Sequence, residues 1–191
     1  MLKKVGKRHF AILSGKITTD SCNATIKKLA LLNAKLASGN LRQKNAGPER
    51  EPSNMGFVQI VPTRHCAGKN HILFALEHAF SAIDSGTAFS RKPELEFLIH
   101  FFGEKQLHRV IEKAKFGEGE KLVLVIETKN KKDVDKVKKA LGFIEDNAFM
   151  PRQNNENKND LMEAFGIGES EIATVSDLES ALEELVIEKI S

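Results

Sequence analysis

Apolar residues recur along this chain with two periods, and each period predicts an element. His9 to Leu13 (HFAIL) is a short apolar run ending at Ser14-Gly15, which predicts a strand and a turn. Ile26, Leu29, Leu32 and Leu36 fall at helical spacing behind Asp20 and Ser21, both suited to cap a helix. That helix is expected to fade at Ser38-Gly39-Asn40. Residues 37–56 lack periodicity and are rich in Gly, Pro, Asn and charge, so they are read as a polar insertion. Phe57 to Val61 (FVQIV) reads as a strand with Pro62 as its breaker.

The middle of the chain is strongly helical in pattern. Between Asn70 and Asp84 the residues Ile72, Leu73, Leu76, Ala79, Phe80 and Ile83 form one apolar face, and Gly86 ends the helix. Pro93 suits the first turn of the next helix. That helix carries Leu95, Leu98, Ile99 and Phe102 on one stripe, with Phe97 and Phe101 on a second. A short helix with so much Phe is either sandwiched in the core or exposes a face for a partner. Leu107, Val110, Ile111 and Ala114 mark a third helix. Lys121 to Glu127 (KLVLVIE) is a continuous apolar run, as expected of a central strand covered on both faces. Val134, Val137 and Leu141 mark a helix stopped by Gly142. Residues 151–160 read as a polar linker, and Asp160 as the cap of a short helix over 161–165. A capping box, Ser176 to Glu179, opens a last helix with Leu178, Ala181, Leu182, Leu185 and Val186 on its apolar face. Strands separated by helices predict a single domain over 1–191 of α/β (α+β) class, a small central sheet of about four strands flanked by helices.

Composition narrows the picture modestly. No apolar run approaches the length of a membrane span, no apolar segment follows the basic N-terminus as in a signal peptide, and two cysteines are too few for a disulfide framework. A cytoplasmic protein without membrane partners is expected. Charge is more informative. The net is +3, yet residues 1–50 hold 11 Lys/Arg against 2 Asp/Glu, and residues 161–191 hold 1 against 8. A basic beginning and an acidic end predict a dipolar protein with a polyanion-facing surface and a separate acidic face.

Catalytic motifs are not legible. Gly117-Glu-Gly119 beside Lys121 lacks P-loop spacing and reads as the turn before a strand. His71 and His78 are two helical turns apart, too far to share a metal unaided. Glu94 and Glu96 point to different faces of one helix. No catalytic residue, metal site or cofactor is assigned. What remains is basic residues at turns: Arg64 and Lys69 flank the loop after FVQIV, Arg91 and Lys92 precede the Pro93 helix, and Lys105 and Arg109 open the third helix. Convergence of such residues suits a phosphate backbone.

The order HILFALEHA (71–79), SGT (85–87), PELEFLIHFFG (93–103), KQL (105–107) and KLVLVI (121–126) resembles the kinase-binding subunit of the KEOPS/EKC complex, the TPRKB or PRPK-binding-protein family. The resemblance covers residues 56–127 well and the rest in outline. Ala88 and Lys105 stand where the family pattern has Asn and Arg. The resemblance implies a non-catalytic subunit that binds a small atypical protein kinase/ATPase and helps recruit tRNA by its acceptor 3′ end, in a complex forming threonylcarbamoyladenosine. On that reading Phe89, Glu96, Phe97 and Phe101 are candidate kinase contacts, and Arg64, Lys69, Arg91, Lys92, Lys105 and Arg109 candidate RNA contacts. The alternatives are a stand-alone basic RNA-binding protein and a small-molecule-binding α/β enzyme.

Overall fold

The computed structural model describes residues 2–18, 22–42, 55–150, 158–174 and 178–190. The first hairpin joins β1 (Leu2–Val5) to β2 (Arg8–Ile17), and α1 (Cys22–Arg42) follows. Next come β3 (Met55–Pro62), a single 3₁₀ turn (Thr63–His65), α2 (Lys69–Ser85), α3 (Pro93–Phe102) and α4 (Leu107–Lys113). The chain continues through β4 (Leu122–Thr128), α5 (Lys131–Leu141), β5 (Phe143–Glu145), α6 (Lys158–Phe165), α7 (Glu169–Thr174) and α8 (Leu178–Ile190). The expected class is borne out, with five strands in one antiparallel sheet flanked by helices.

The strand order is β1-β2-β4-β3, with β5 pairing the far end of β2. β4 is therefore central, and alternation along it divides the core in two. Val123 and Val125 join Phe10, Ile12, Phe57 and Val61 beneath α2, α3, α6 and α8. Leu122, Leu124 and Ile126 join Ala11, Leu13, Val58 and Ile60 beneath α1 and α5. An antiparallel strand covered on both faces has no polar side, which is why KLVLVIE lacks alternation. Each fully buried Leu, Ile or Phe in these layers contributes roughly 1.5–3 kcal/mol of transfer free energy.

Several boundaries differ from expectation. Ser14-Gly15 is no turn, since β2 runs on to Ile17. Gly15 pairs with both Leu122 of β4 and Glu145 of β5, and a Cβ there would lie 2.0 Å from the Ile144 carbonyl oxygen. The glycine permits a close backbone approach rather than a reversal. α1 continues through Ser38-Gly39-Asn40 to Arg42, so the expected insertion loses its first six residues to helix; its positions 43–54 lie outside the described residues. Helix α6 starts at Lys158, so Asp160 sits inside its first turn instead of capping it, and the linker shortens accordingly. Ser176, of the proposed capping box, lies outside the described residues. No helix among the described residues is long and apolar enough to cross a membrane.

Candidate docking surfaces

The edge of the sheet at β3 is built first from α1. Asn33, on the buried face of α1, accepts a hydrogen bond from Val58 N–H and donates one to Val58 C=O, both at 2.8 Å. The side-chain amide thus occupies the place of a neighbouring strand. Ile60 N–H donates to the Gln59 side-chain oxygen at 3.1 Å, and Pro62 has no N–H to offer. From Val58 to Pro62 the outward amides of β3 are therefore satisfied or absent, and this stretch of the edge is closed to strand addition.

Beside this closed edge lies an apolar groove of about 250 Å³ between α1, β3, α3 and α4. Ile26 and Leu29 of α1, Leu95 and Leu98 of α3, Ile111 of α4 and Phe116 line it, with Lys92 and Lys115 on its rim. Ile26 is 42% exposed and Ile111 47%. Sequence spacing assigned both to helical core stripes. In α4, a seven-residue helix that carries Leu107, Val110 and Ile111, only Val110 is buried.

The candidate kinase contacts separate sharply. Phe97 and Phe101 are fully buried, so neither presents a surface. Phe97 stacks in an aromatic cluster with Phe57 and Phe101, at centroid distances of 5.9 and 5.6 Å. Both stripes of α3 are buried, except for partly exposed Leu95, because helices cover one side and β3 the other; the helix is sandwiched, the first of the two arrangements its composition allowed. Glu96 is also fully buried. Its carboxylate accepts from Ser90 N–H at 2.7 Å and meets His100 Nε2 at 3.2 Å. A buried carboxylate needs such partners to offset its lost hydration, and here they latch the 86–92 loop onto α3. Phe89, at the tip of that loop, is 51% exposed and lies 5.3 Å from the Lys105 ammonium.

Beneath Phe89 a cleft of about 410 Å³ opens between α2 and α8, lined by His78, Ser85, His100, Val186 and Ile190. Burial lowers the His100 pKa, with Glu96 opposing and His78 assisting. The neutral ring places its Nε2–H toward Glu96. His100 Nδ1 is buried without a hydrogen-bond partner among the described residues. Groups of three or more His, Cys, Asp or Glu placed to hold a metal ion are absent among the described residues.

Of the candidate RNA contacts, Arg91 and Lys92 precede α3 and Lys105 and Arg109 follow it; the loop before α3 folds back, so that Phe89 meets the Lys105 ammonium at 5.3 Å. Gly103, at φ 57°, makes the turn between α3 and α4 that carries the second pair. Arg64 is tied down: it pairs with Glu120 and donates to the Lys115 carbonyl at 2.8 Å. Its pKa is lowered chiefly by burial, with Asp160 opposing. Lys69 is the half-buried first residue of α2. Arg109 lies 3.7 Å from Glu104. Two basic residues that the sequence did not single out join it. Burial lowers the Lys113 pKa, Glu104 opposes, and Lys189 of α8 and Arg109 lower it further. Arg109, Lys113 and Lys189 thus form a mutually repelling cluster where α4 meets α8.

No protein-family model matches the chain, and no curated protein is significantly similar to it.

Proposed function

We propose that this protein is a non-catalytic accessory subunit of a KEOPS-type tRNA-modifying complex, binding a small atypical kinase/ATPase and helping recruit tRNA by its 3′ end. The observation that carries the reading is the apolar groove at the β3 edge. A monomer gains nothing by leaving Ile26 and Ile111 half exposed around a cleft rimmed by Lys92 and Lys115, whereas a protein partner gains an apolar centre with a charged rim. The groove is framed by α4 and by α3, whose residue order over 93–103 is part of the family resemblance. The closed β3 edge makes side-chain insertion, not strand pairing, the mode of docking. Contacts first assigned to Phe97 and Phe101 pass to Ile26, Ile111 and Phe116, with Phe89 retained at a second point on α3's flanking loop.

Co-expression with the small kinase, followed by affinity capture, tests this reading. The wild-type chain is expected to retain the kinase stoichiometrically, and Ile111→Asp to lower capture at least tenfold, since Ile111 lines the groove and is not core. Absence of stoichiometric capture by the wild type overturns the kinase role. For tRNA, removal of the 3′ terminal nucleotides is expected to weaken binding; equal binding of full-length and truncated tRNA overturns the 3′-end role.

A further inference from the structure

The fold converts the uneven charge of the sequence into opposite charge on two helical layers. α1 and α5, which cover one face of the sheet, carry nine Lys/Arg and two Asp. The helices of the other layer, α2, α3, α4, α6, α7 and α8, carry five Lys/Arg and thirteen Asp/Glu. The basic layer continues onto one end of the sheet. Lys7 in the β1–β2 turn and Lys129 after β4 line the same cleft, of about 540 Å³. Leu2 packs under the α1–α5 layer, so Lys4, two residues on along β1, projects on that side. Lys132, Lys136 and Lys139 recur at i, i+4 and i+7 and share the exposed face of α5.

Acidic neighbours cancel only part of this charge. Asp84 and Glu127 in the cleft share one guanidinium, Arg8, at 3.0 Å, which leaves one negative charge beside Lys7 and Lys129. Asp133 is taken by Lys136 at 3.1 Å, and Glu145 by Lys138 at 2.7 Å. Asp135 is the exposed carboxylate on α5. Lys4, Lys7, Lys129, Lys131, Lys132 and Lys139 make no ion pair among the described residues. Six cations held together without partners repel one another, a cost relieved by a polyanion.

We propose that this lysine face binds the phosphate backbone of double-helical RNA, independently of sequence. The choice of RNA rests on the tRNA reading above; the choice of a duplex rests on what the face lacks and what it has. Among the described residues the large hydrophobic side chain that α1 and α5 expose outside the groove is aliphatic, Leu31, so no aromatic platform for stacking unpaired bases is found there. Its six unpaired cations are lysines, point charges without the bidentate fork that reads base edges. From Lys131 to Lys139 the cations extend about 12 Å along α5, long enough to meet several phosphates. Both sites include α1, but none of the six unpaired lysines lines the groove at the β3 edge, so the tRNA body and a docked protein use different side chains.

The test uses the full chain and a blunt 16-base-pair RNA duplex, labelled with fluorescein and read by anisotropy across a salt series. Each phosphate contact contributes a slope of about −0.9 in log K against log salt, so about −4 to −5 is expected for the wild type. Lys129→Gln/Lys131→Gln/Lys132→Gln together are expected to reduce that slope by about 2–3 and weaken binding at least tenfold at 50 mM salt. Lys4→Gln/Lys7→Gln, on the other side of the cleft, is expected to reduce it by about 1–2. Lys158→Gln, on α6 of the opposite layer, is expected to leave it unchanged. No duplex binding by the wild type, wild-type binding by both lysine variants, or tighter binding to phosphatidylserine vesicles than to the duplex overturns the proposal. The outcomes are separable from those above: a chain that binds duplex but captures no kinase sinks the accessory-subunit reading alone, and kinase capture without duplex binding sinks this one alone.

Discussion

His71 offers a sharp test of how the two ends of α2 and α3 are joined. Its ring is fully buried, stacked on Phe101 at 4.4 Å. Nε2 lies 3.0 Å from the Phe101 carbonyl oxygen, and Nδ1 lies 3.3 Å from Ala67 N. An N–H can only donate, so Nδ1 accepts from Ala67, and Nε2–H donates to Phe101. The ring is therefore neutral, and a proton on Nδ1 would break the first bond. Burial lowers the His71 pKa from 6.5 to about 4, the Phe101 bond opposing. The folded state then binds fewer protons than the unfolded chain between those values, so stability present above pH 6.5 is lost as pH falls toward 4. With these values the loss attributable to His71 is about 2 kcal/mol between pH 7 and pH 5, and about 3 kcal/mol by pH 4. His71→Gln keeps an acceptor and a donor without titrating. At pH 7 it is expected to be less stable than wild type by roughly 1–3 kcal/mol from imperfect hydrogen bonds. That gap should close by about 2 kcal/mol at pH 5. His65, lowered to about 4 mainly by burial, titrates in both proteins and cancels in the difference. The chain has no Trp or Tyr, so urea unfolding is followed by far-ultraviolet circular dichroism. A gap that stays constant from pH 7 to pH 5 would refute the neutral, buried assignment.

Two further predictions concern the β3 edge and the division between core and surface phenylalanines. Asn33→Ala removes both bonds to Val58 and leaves its N–H and C=O buried; a loss of about 3 kcal/mol in urea unfolding is expected, with concentration-dependent association as the edge opens. A loss below about 1 kcal/mol would show that water replaces the amide. Phe97→Ala should cost about 3–5 kcal/mol as a core truncation, and Phe89→Ala less than about 1 kcal/mol; similar costs for the two would contradict the burial contrast.

What could be read from the sequence followed from whether a residue's surroundings were local. The apolar run at 122–126 gave away a strand covered on both faces, because no polar alternation survives there. Gly86 and Gly142 marked real helix ends. β1 (LKKV) and β5 (FIE) escaped notice because short edge strands carry little pattern and exist through pairing with β2. Ser14-Gly15 was misread because its composition suits a turn, whereas the glycine serves a contact with Ile144, far away in sequence. The site was less legible for the same reason. Phe97 and Phe101 looked like a spare stripe on α3, yet whether a second stripe is buried depends on what covers it. Glu96 gave no sign that it holds a loop through Ser90. The groove arises where α1, β3, α3 and α4 meet, and no single segment contains it.

Charge shows the same relation between chain and fold. The sequence is basic at its beginning and acidic at its end, which predicts a dipolar protein only where folding does not mix the two. Here the connections keep them apart. α1 crosses to one face of the sheet, and α5 returns to that face after β4; α6 and α8 close the other core beneath the acidic residues. The sheet, its interior apolar and of low polarisability, separates the two layers, so their fields are poorly screened through the protein. A polyanion approaching from solution is turned by that dipole toward α1 and α5 before any contact forms. On the proposed assignments the groove at the β3 edge stays open to a second macromolecule while RNA lies across the lysine face. Kinase capture should therefore persist in the presence of saturating duplex, and mutual exclusion of the two would show that the faces are not independent.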